Sequence, residues 1–523
     1  MTKPRFPAEP GPVLADLPDL GAFVRAWLRG DGPFDGAAAE WRRYLANPAA
    51  GVAPAWRDRA WCEAWSAELA ADLPDDAARS AAVAAEAALA AGEAEVVITG
   101  QQPGFLGGPL LTLYKAAACV AAARARTAAG RPTIPLFWCG DDDDDRREAF
   151  APRLYDPRRG ALLGAAPPPG PDDLVIGDAP ADVWAAPEAG WLAERRAAGG
   201  LGAELDGLWQ RARREGWTWG RLQRRALLRV FAGSGLLTVS GDDGRLHRAA
   251  APFYADLVAR RLELASLAAA RGAELTALGY HAQLSGASLD SPFHLRKAGG
   301  RERANDPAAL LTAPQDLRPG VLLRTLVQDW FFRPAGIVAG PGELAYLEQL
   351  RPLHAALGLD QPALLPRLFA RLSDDPGRDA SAAAPPPADT AGDEASSAIT
   401  ADLARALAVR AGLPAQRAQA LAARAARVWR DEVRAALGRG RDDSAQQAAP
   451  ASPVWAAPGG VRQERVLALH WATALWGDGL VSAVIDAAGA HFARGADGDW
   501  RDWWIRVDPR PLISQNSGNS SGA

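Results

Sequence analysis

The sequence predicts an α/β fold organised around a parallel sheet, and three stretches predict it. "EVVITG" (95–100) and "PTIPLFWCG" (132–140) are short apolar runs with the pattern of buried strands. Between them, "GGPLLTLYKAAACVAAARARTAAG" (107–130) is long enough for a helix and ends at a glycine stop. Parallel strands need a crossover of this kind, so strand, helix and strand within about 45 residues read as a βαβ unit. "AGIVAGPGELAYLEQLRPLHAALG" (335–358) repeats the grammar: apolar run, glycine-proline turn, helix.

Along the chain, residues 1–93 read as a helical segment packed on the core. "GAFVRAWLRG", "AAAEWRRYLA" and "SAAVAAEAALAAG" carry apolar residues at three- and four-residue steps. Residues 94–373 read as the α/β core with connecting insertions. Within it, "RLQRRALLRVFAGSG" (221–235) is an amphipathic helix leading into the strand "LLTVSG", and 251–272 is another helix. Residues 374–397 are rich in Pro, Ala, Ser and Asp and read as a flexible linker. A helical hairpin is expected over 398–438, with Leu421, Ala425, Val428, Trp429, Val433 and Leu437 on one face. A second linker follows at 439–460. A helical segment over 461–513 returns to the core, and the tail 514–523 reads as disordered.

Composition narrows the function. The 523 residues carry 23% charged side chains and a formal charge of −4, so no polyelectrolyte signal points to nucleic acid or an acidic membrane. Three scattered cysteines, Cys62, Cys119 and Cys139, make neither a disulfide framework nor a zinc site. The six histidines show no HxxH or HExxH pairing. No secretory h-region and no run of 18 apolar residues is present, and the expected location is the cytoplasm. Lysine occurs only at Lys3, Lys115 and Lys297, while arginine supplies nearly all other positive charge. A lysine retained against that drift suits a site needing a compact point charge rather than a planar fork.

Chemistry concentrates in three stretches. In "TGQQPGFLGG" (99–108), Thr99, Gly100, Gln101, Gln102, Gly104, Gly107 and Gly108 lie between the first strand and its helix. Helix N-termini carry unpaired N–H groups and a partial positive charge, so this stretch reads as a phosphate or carboxylate cradle. Lys115 contributes if its side chain reaches back from the helix. The competing reading is a glycine-rich packing turn without a ligand. In "GDDDDDRREAF" (140–150), the aspartate run includes Asp142, Asp143, Asp144 and Asp145. It reads either as a solvated acidic loop or as a site for a divalent metal, with Asp142 and Asp143 as ligands, or for an ammonium group. Both turns should leave neighbouring parallel strands at one rim. A weaker candidate joins Arg324 and Gln328 with the "GPGE" turn: Gly340, Gly342, Glu343 and, one turn on, Tyr346.

These blocks resemble the BshC family of bacillithiol biosynthesis cysteine-adding enzymes. The resemblance rests on "ITGQQPGFLGGPLLTLYK", "PLFWCGDDDDDRREA", "LGYHAQL", "VLLRTLVQD", "AGPGELAYLEQLRPLHAALGL", "LLPRL" and "RQERVLALHWATALWGDGLV", in the family's order. It implies a Rossmann-like core with inserted segments and a C-terminal α-helical, coiled-coil-like domain. It also implies a ligase joining cysteine to glucosaminyl-malate, with ATP/ADP and Mg as expected cofactors, and a homodimer as a candidate assembly. The alternatives are a nucleotide-dependent ligase for another amine and acid, and a catalytically degenerate binding protein. The family's acidic block commonly reads like "EDHDFxE". Asp142, Asp143, Asp145 and Glu148 keep its acidic character, but Asp144 stands at the histidine position. A histidine can donate to a phosphate, and an ionised aspartate cannot.

Overall fold

In the computed structural model of the chain, the apolar runs form parallel strands β1 (Glu95–Gln101) and β2 (Thr133–Cys139), paired along their whole length. The structure describes residues 6–17, 19–46, 59–73, 76–157, 159–165, 174–181, 199–280, 282–284, 293–297, 300–304, 309–374, 405, 422 and 462–508. The linkers and hairpin expected over 374–460, and the tail 514–523, lie outside these residues apart from Asp374, Arg405 and Ala422. By its internal contacts the chain divides into Met1–Asp374 with Gln463–Ala523, and Asp375–Arg462. The sheet and its helices belong to the first unit.

Three further strands complete the sheet: β3 (Leu237–Ser240), β4 (Gly336–Ala339) and β5 (Ala363–Pro366). Their order is β5-β4-β1-β2-β3, and every pairing is parallel. Chain order therefore reads 3-2-1-4-5 across the sheet, which is the order of a doubly wound, Rossmann-like core. The order reverses between β1 and β4, a switch point set by the pairing of Gly336 and Ile337 with Val97 and Ile98.

The crossover helix α1 (Leu110–Ala128) is buried on nearly every side. It packs on β1 and β2, and also against α5 (Leu469–Gly495), a helix broken at Gly477. The alanines at 116–118 and 121–123 let two layers approach it closely. Three other helices deliver charged side chains to the sheet's carboxyl rim: α2 (Trp219–Val230), α3 (Val321–Phe332) and α4 (Pro341–Gln349).

Two expectations change. The chain ends are not purely helical, because Arg501–Arg506 pairs antiparallel with Ala8–Val13 and parallel with Ala370–Ser373. "AEPGPV" escapes a strand reading because of its prolines, which an edge strand tolerates. The helix expected over 251–272 is two helices, Ala251–Ala259 and Arg261–Ala277, meeting at Arg260. Among the described residues, no helix is long and apolar enough to cross a membrane.

Candidate active site

A cavity of about 650 Å³ opens at the carboxyl ends of β1, β2 and β4, at the switch point where ligands of open α/β sheets bind. Gly100 and Asp143 both line it, so the two turns do share one rim. Thr99, Gln101, Gln102, Lys115, Arg324, Gln328, Gly340, Gly342, Glu343 and Tyr346 line it as well. Gly104, Gly107, Gly108, Asp142, Asp144 and Asp145 do not.

The glycine stretch is a packing device. A Cβ on Gly100 would stand 2.8 Å from the Trp138 carbonyl, and one on Gly104 would stand 2.6 Å from the Gly108 Cα. Gly107, at φ 86°, lies against the His470 ring. The N-terminus of α1 is also engaged: Leu110 N–H donates to the Leu467 carbonyl at 2.7 Å, and Leu469 N–H donates back to Gly108 at 2.8 Å. The cradle expected at Gly104, Gly107 and Gly108 is therefore closed by packing: Gly104 against Gly108 within the turn, and Gly107 and Gly108 against the C-terminal segment. The turn that opens into the cavity is the "GPGE" turn, where a Cβ on Gly342 would meet nothing within 4 Å.

Lys115 reaches back as its position allows. Its side chain is 3% exposed, and Nζ donates to the Gly100 carbonyl at 2.7 Å and to Gln101 Oε1 at 3.1 Å. It also pairs with Glu343 Oε2 at 2.6 Å. The same Glu343 oxygen accepts from Gly340 N–H at 2.7 Å, closing the first turn of α4. Lysine thus locks β1 to α4, and a single ammonium suits three acceptors in different directions better than a guanidinium fork does. With these bonds made, it is a positioning group rather than a free ligand cation. Thr99 adds a second tie, Oγ1 donating to the Val338 carbonyl at 2.8 Å.

The aspartates are divided among separate structural partners. Asp141 is gripped by Arg224 of α2 and accepts from Ser240 Oγ at 2.8 Å. Burial raises its pKa to about 6, against the opposing charge of Arg224. Asp142 is buried, with Oδ1 3.6 Å from Arg324 Nη1; burial raises its pKa, and Arg324 and Arg301 oppose the rise. Asp143 Oδ1 accepts the N–H groups of Asp144 and Asp145 at 2.7 and 3.0 Å, and Oδ2 lies 3.7 Å from Arg324. Asp144 receives a two-point contact from Arg301, at 2.6 and 3.0 Å. Asp145 caps a short helix through Glu148 N–H at 3.0 Å.

This donor set does not fit a resident divalent ion at Asp142 and Asp143. The charges there are already met by arginines, and a metal would have to displace Arg324. Among the described residues, no group of three or more His, Cys, Asp or Glu side chains is arranged to hold a metal. The fit to an anion is better. Arg324 lines the cavity at ion-pair rather than hydrogen-bond distance from its acids. Arg465 lines it with no side-chain hydrogen bond or ion pair among the described residues. The buried Gln102 Nε2 has no acceptor among the described residues. Arg367 also borders the cavity but is bound to Glu464 at 3.0 Å.

Residues 67–309 and 302–368 match the family described as Bacillithiol biosynthesis BshC, N-terminal Rossmann-like domain, which spans more than half of the chain. The chain belongs to the BshC family. Among curated relatives, a protein of Koribacter versatilis is 30% identical over 297 residues, 53% of this chain and 55% of that protein. One of Salinibacter ruber is 29% identical over 310 residues, 52% and 53% of the two chains. One of Geobacillus thermodenitrificans is 27% identical over 305 residues, 53% and 55%. All three are provisionally named cysteine ligase BshC. The matched region spans about half the length of these relatives.

Within this BshC-family cavity, three charged lining residues have no role assigned by sequence reasoning. Arg367 and Arg465 sit in "LLPRL" and "RQERV", blocks that carry the family resemblance without a role for either arginine. Glu148 reads in sequence only as part of the acidic block, yet it lines the cavity and accepts from Gln101 Nε2 at 3.1 Å. The signal available for Arg367 is a charged residue inside an apolar block; Glu148 and Arg465 stand among other charged residues, and no local pattern singles them out.

Proposed function

We propose that this protein is a cysteine ligase that joins L-cysteine to glucosaminyl-malate in the last step of bacillithiol biosynthesis. The observation that carries the reading is the switch-point cavity, where carboxylates and arginine side chains meet at one strand rim. Amide formation brings an ammonium and a carboxylate together, and a cavity with both signs of charge can bind and orient both. A free carboxylate needs activation before an amine attacks it. We assign that role to ATP as co-substrate, with Arg324, Arg465 and the first turn of α4 as the groups that would hold phosphate. No step is assigned to a metal at Asp142 and Asp143, whose surroundings do not fit one.

The test is to incubate the purified chain with L-cysteine, glucosaminyl-malate and ATP and to follow the amide by mass spectrometry. In cells, deletion should leave glucosaminyl-malate accumulated and bacillithiol absent, and an unchanged thiol pool would refute the reading. One observation favours a second reading, a binding protein without turnover. Asp144, where the family block commonly has histidine, is held by Arg301 and lies off the cavity. Saturable substrate binding with no amide would support that reading.

A further inference from the structure

We infer that Glu148 is a catalytic residue: its carboxylate is the general base that takes a proton from the ammonium form of the attacking amine. This deepens the ligase reading and rests on it. Three carboxylates line the cavity, Asp143, Glu148 and Glu343, and their hydrogen bonds separate them. Glu343 is committed to Lys115 at 2.6 Å and to Gly340 N–H at 2.7 Å. Asp143 accepts two backbone N–H groups through one oxygen and faces Arg324 with the other. The oxygens of both are thus already committed to donors and cations of the fold.

Glu148 differs on each count. Among the described residues its one side-chain hydrogen-bond donor is a neutral amide, Gln101 Nε2, at 3.1 Å from Oε1. Asp145 and Asp143 face it from its own turn, Gln101 from β1, and Lys115 from α1. Partial desolvation of its carboxyl comes first, and the charges of Asp145 and Asp143 add to it; together they raise its pKa above the ordinary glutamate value, against Gln101 and Lys115. A raised carboxylate pKa brings basicity towards the range in which proton abstraction near neutral pH is efficient.

The side chain is also oriented. Lys115 Nζ donates to Gln101 Oε1 at 3.1 Å, which turns the Gln101 amide so that its NH₂ faces Glu148. A continuous line of contacts thus runs from Gly340 N–H through Glu343, Lys115 and Gln101 to Glu148. Lys115 and Gln101 are positioning residues in this scheme. A first proton leaves the ammonium nitrogen for a Glu148 oxygen, and the electron pair of that N–H bond stays on nitrogen. This pair forms the C–N bond to the acyl carbon of the ATP-activated carboxyl while the acyl C–O bond breaks, its electrons leaving on the phosphate, and the second proton lost from nitrogen goes to that departing phosphate. Glu148 then holds the proton as a carboxylic acid and returns it to water, because its side chain remains exposed at the cavity mouth.

The experiment compares the full chain with Glu148→Gln and Glu148→Asp. It measures kcat/KM for amide formation against pH, alongside a ¹³C NMR titration of the glutamate carboxyls. The expected result is a loss of about 10²-fold or more in Glu148→Gln, with disappearance of the acidic limb of the profile, and partial recovery in Glu148→Asp. A loss below about tenfold, or an unchanged acidic limb, overturns the inference while leaving the ligase reading intact. If the wild-type chain forms no amide, the ligase reading fails, and the titration still decides the basicity. A Glu148 pKa at or below about 4.3 overturns the assignment, and a raised value that rises further in Lys115→Met, which removes a nearby cation and the bond that aims the Gln101 amide, supports the oriented base.

Discussion

Replacing Lys115 with methionine keeps the length of the side chain and removes one ammonium from three acceptors. Lys115 is 3% exposed, and its contacts are Gly100 O at 2.7 Å, Gln101 Oε1 at 3.1 Å and Glu343 Oε2 at 2.6 Å. Removing one partner of a buried pair costs roughly 3–5 kcal/mol, mostly through the charge left behind. Glu343 keeps 31% exposure and its bond from Gly340 N–H, so part of that charge is still solvated. The expected destabilisation therefore falls to about 3 kcal/mol, near the lower end of that range. Glu343→Gln strands the lysine in turn, but the double variant strands no charge, so the two effects should be non-additive by roughly 2 kcal/mol. Urea unfolding of the four proteins measures the cycle. A Lys115→Met loss under about 0.5 kcal/mol, or additivity within about 0.5 kcal/mol, would refute the claim that this lysine locks β1 to α4.

Three further outcomes are expected. Asp144→His should lower stability by about 1 kcal/mol, because it removes a partly exposed two-point contact with Arg301, and should change the amide-forming rate by less than tenfold, since Asp144 does not line the cavity; urea unfolding and the amide assay check both. Gly107→Ala should destabilise by about 1–3 kcal/mol, because its Cβ would stand 2.6 Å from the His470 ring at φ 86°, whereas Gly342→Ala should stay within about 0.5 kcal/mol of wild type; melting curves compare them. Acid should destabilise the fold, because burial lowers the pKa of His491 to about 3 and of His294 to about 4. Between the ordinary histidine value near 6.5 and these folded values the unfolded chain binds more protons, so stability is full above about 6.5 and falls as pH drops. At pH about 4.5 the His491 contribution is on the order of 3 kcal/mol, and a His491→Gln variant should lose that part of the slope in urea midpoints.

The sequence carried the strands and the rim but not the partners. "EVVITG" and "PTIPLFWCG" are readable because a strand buried on both faces must be short, apolar and bounded by turns, and no other element fits that description at that length. Pairing of β1 with β4, which creates the switch point, joins segments far apart in the chain and leaves no local pattern. That is why the "GPGE" turn ranks below "TGQQPGFLGG" from sequence, although Gly342 faces the cavity and Gly107 faces His470. Glycine content reports a close approach of backbone without saying to what. Here Gly107 approaches His470 of the chain's own C-terminal segment, and Gly104 approaches Gly108 within the turn. The aspartate run shows the same limit in electrostatic form: like charges in sequence suggest a cation, and the fold supplies cations as arginines from α2, α3 and the 300–303 strand. Charge clustering therefore marks the place correctly and the chemistry incompletely. Glu148, the acid at the end of the run, receives no arginine among its hydrogen-bond donors and is left with a neutral one. An acid that the fold does not neutralise, beside five that it meets with arginines or backbone N–H groups, is where proton chemistry is least costly to place.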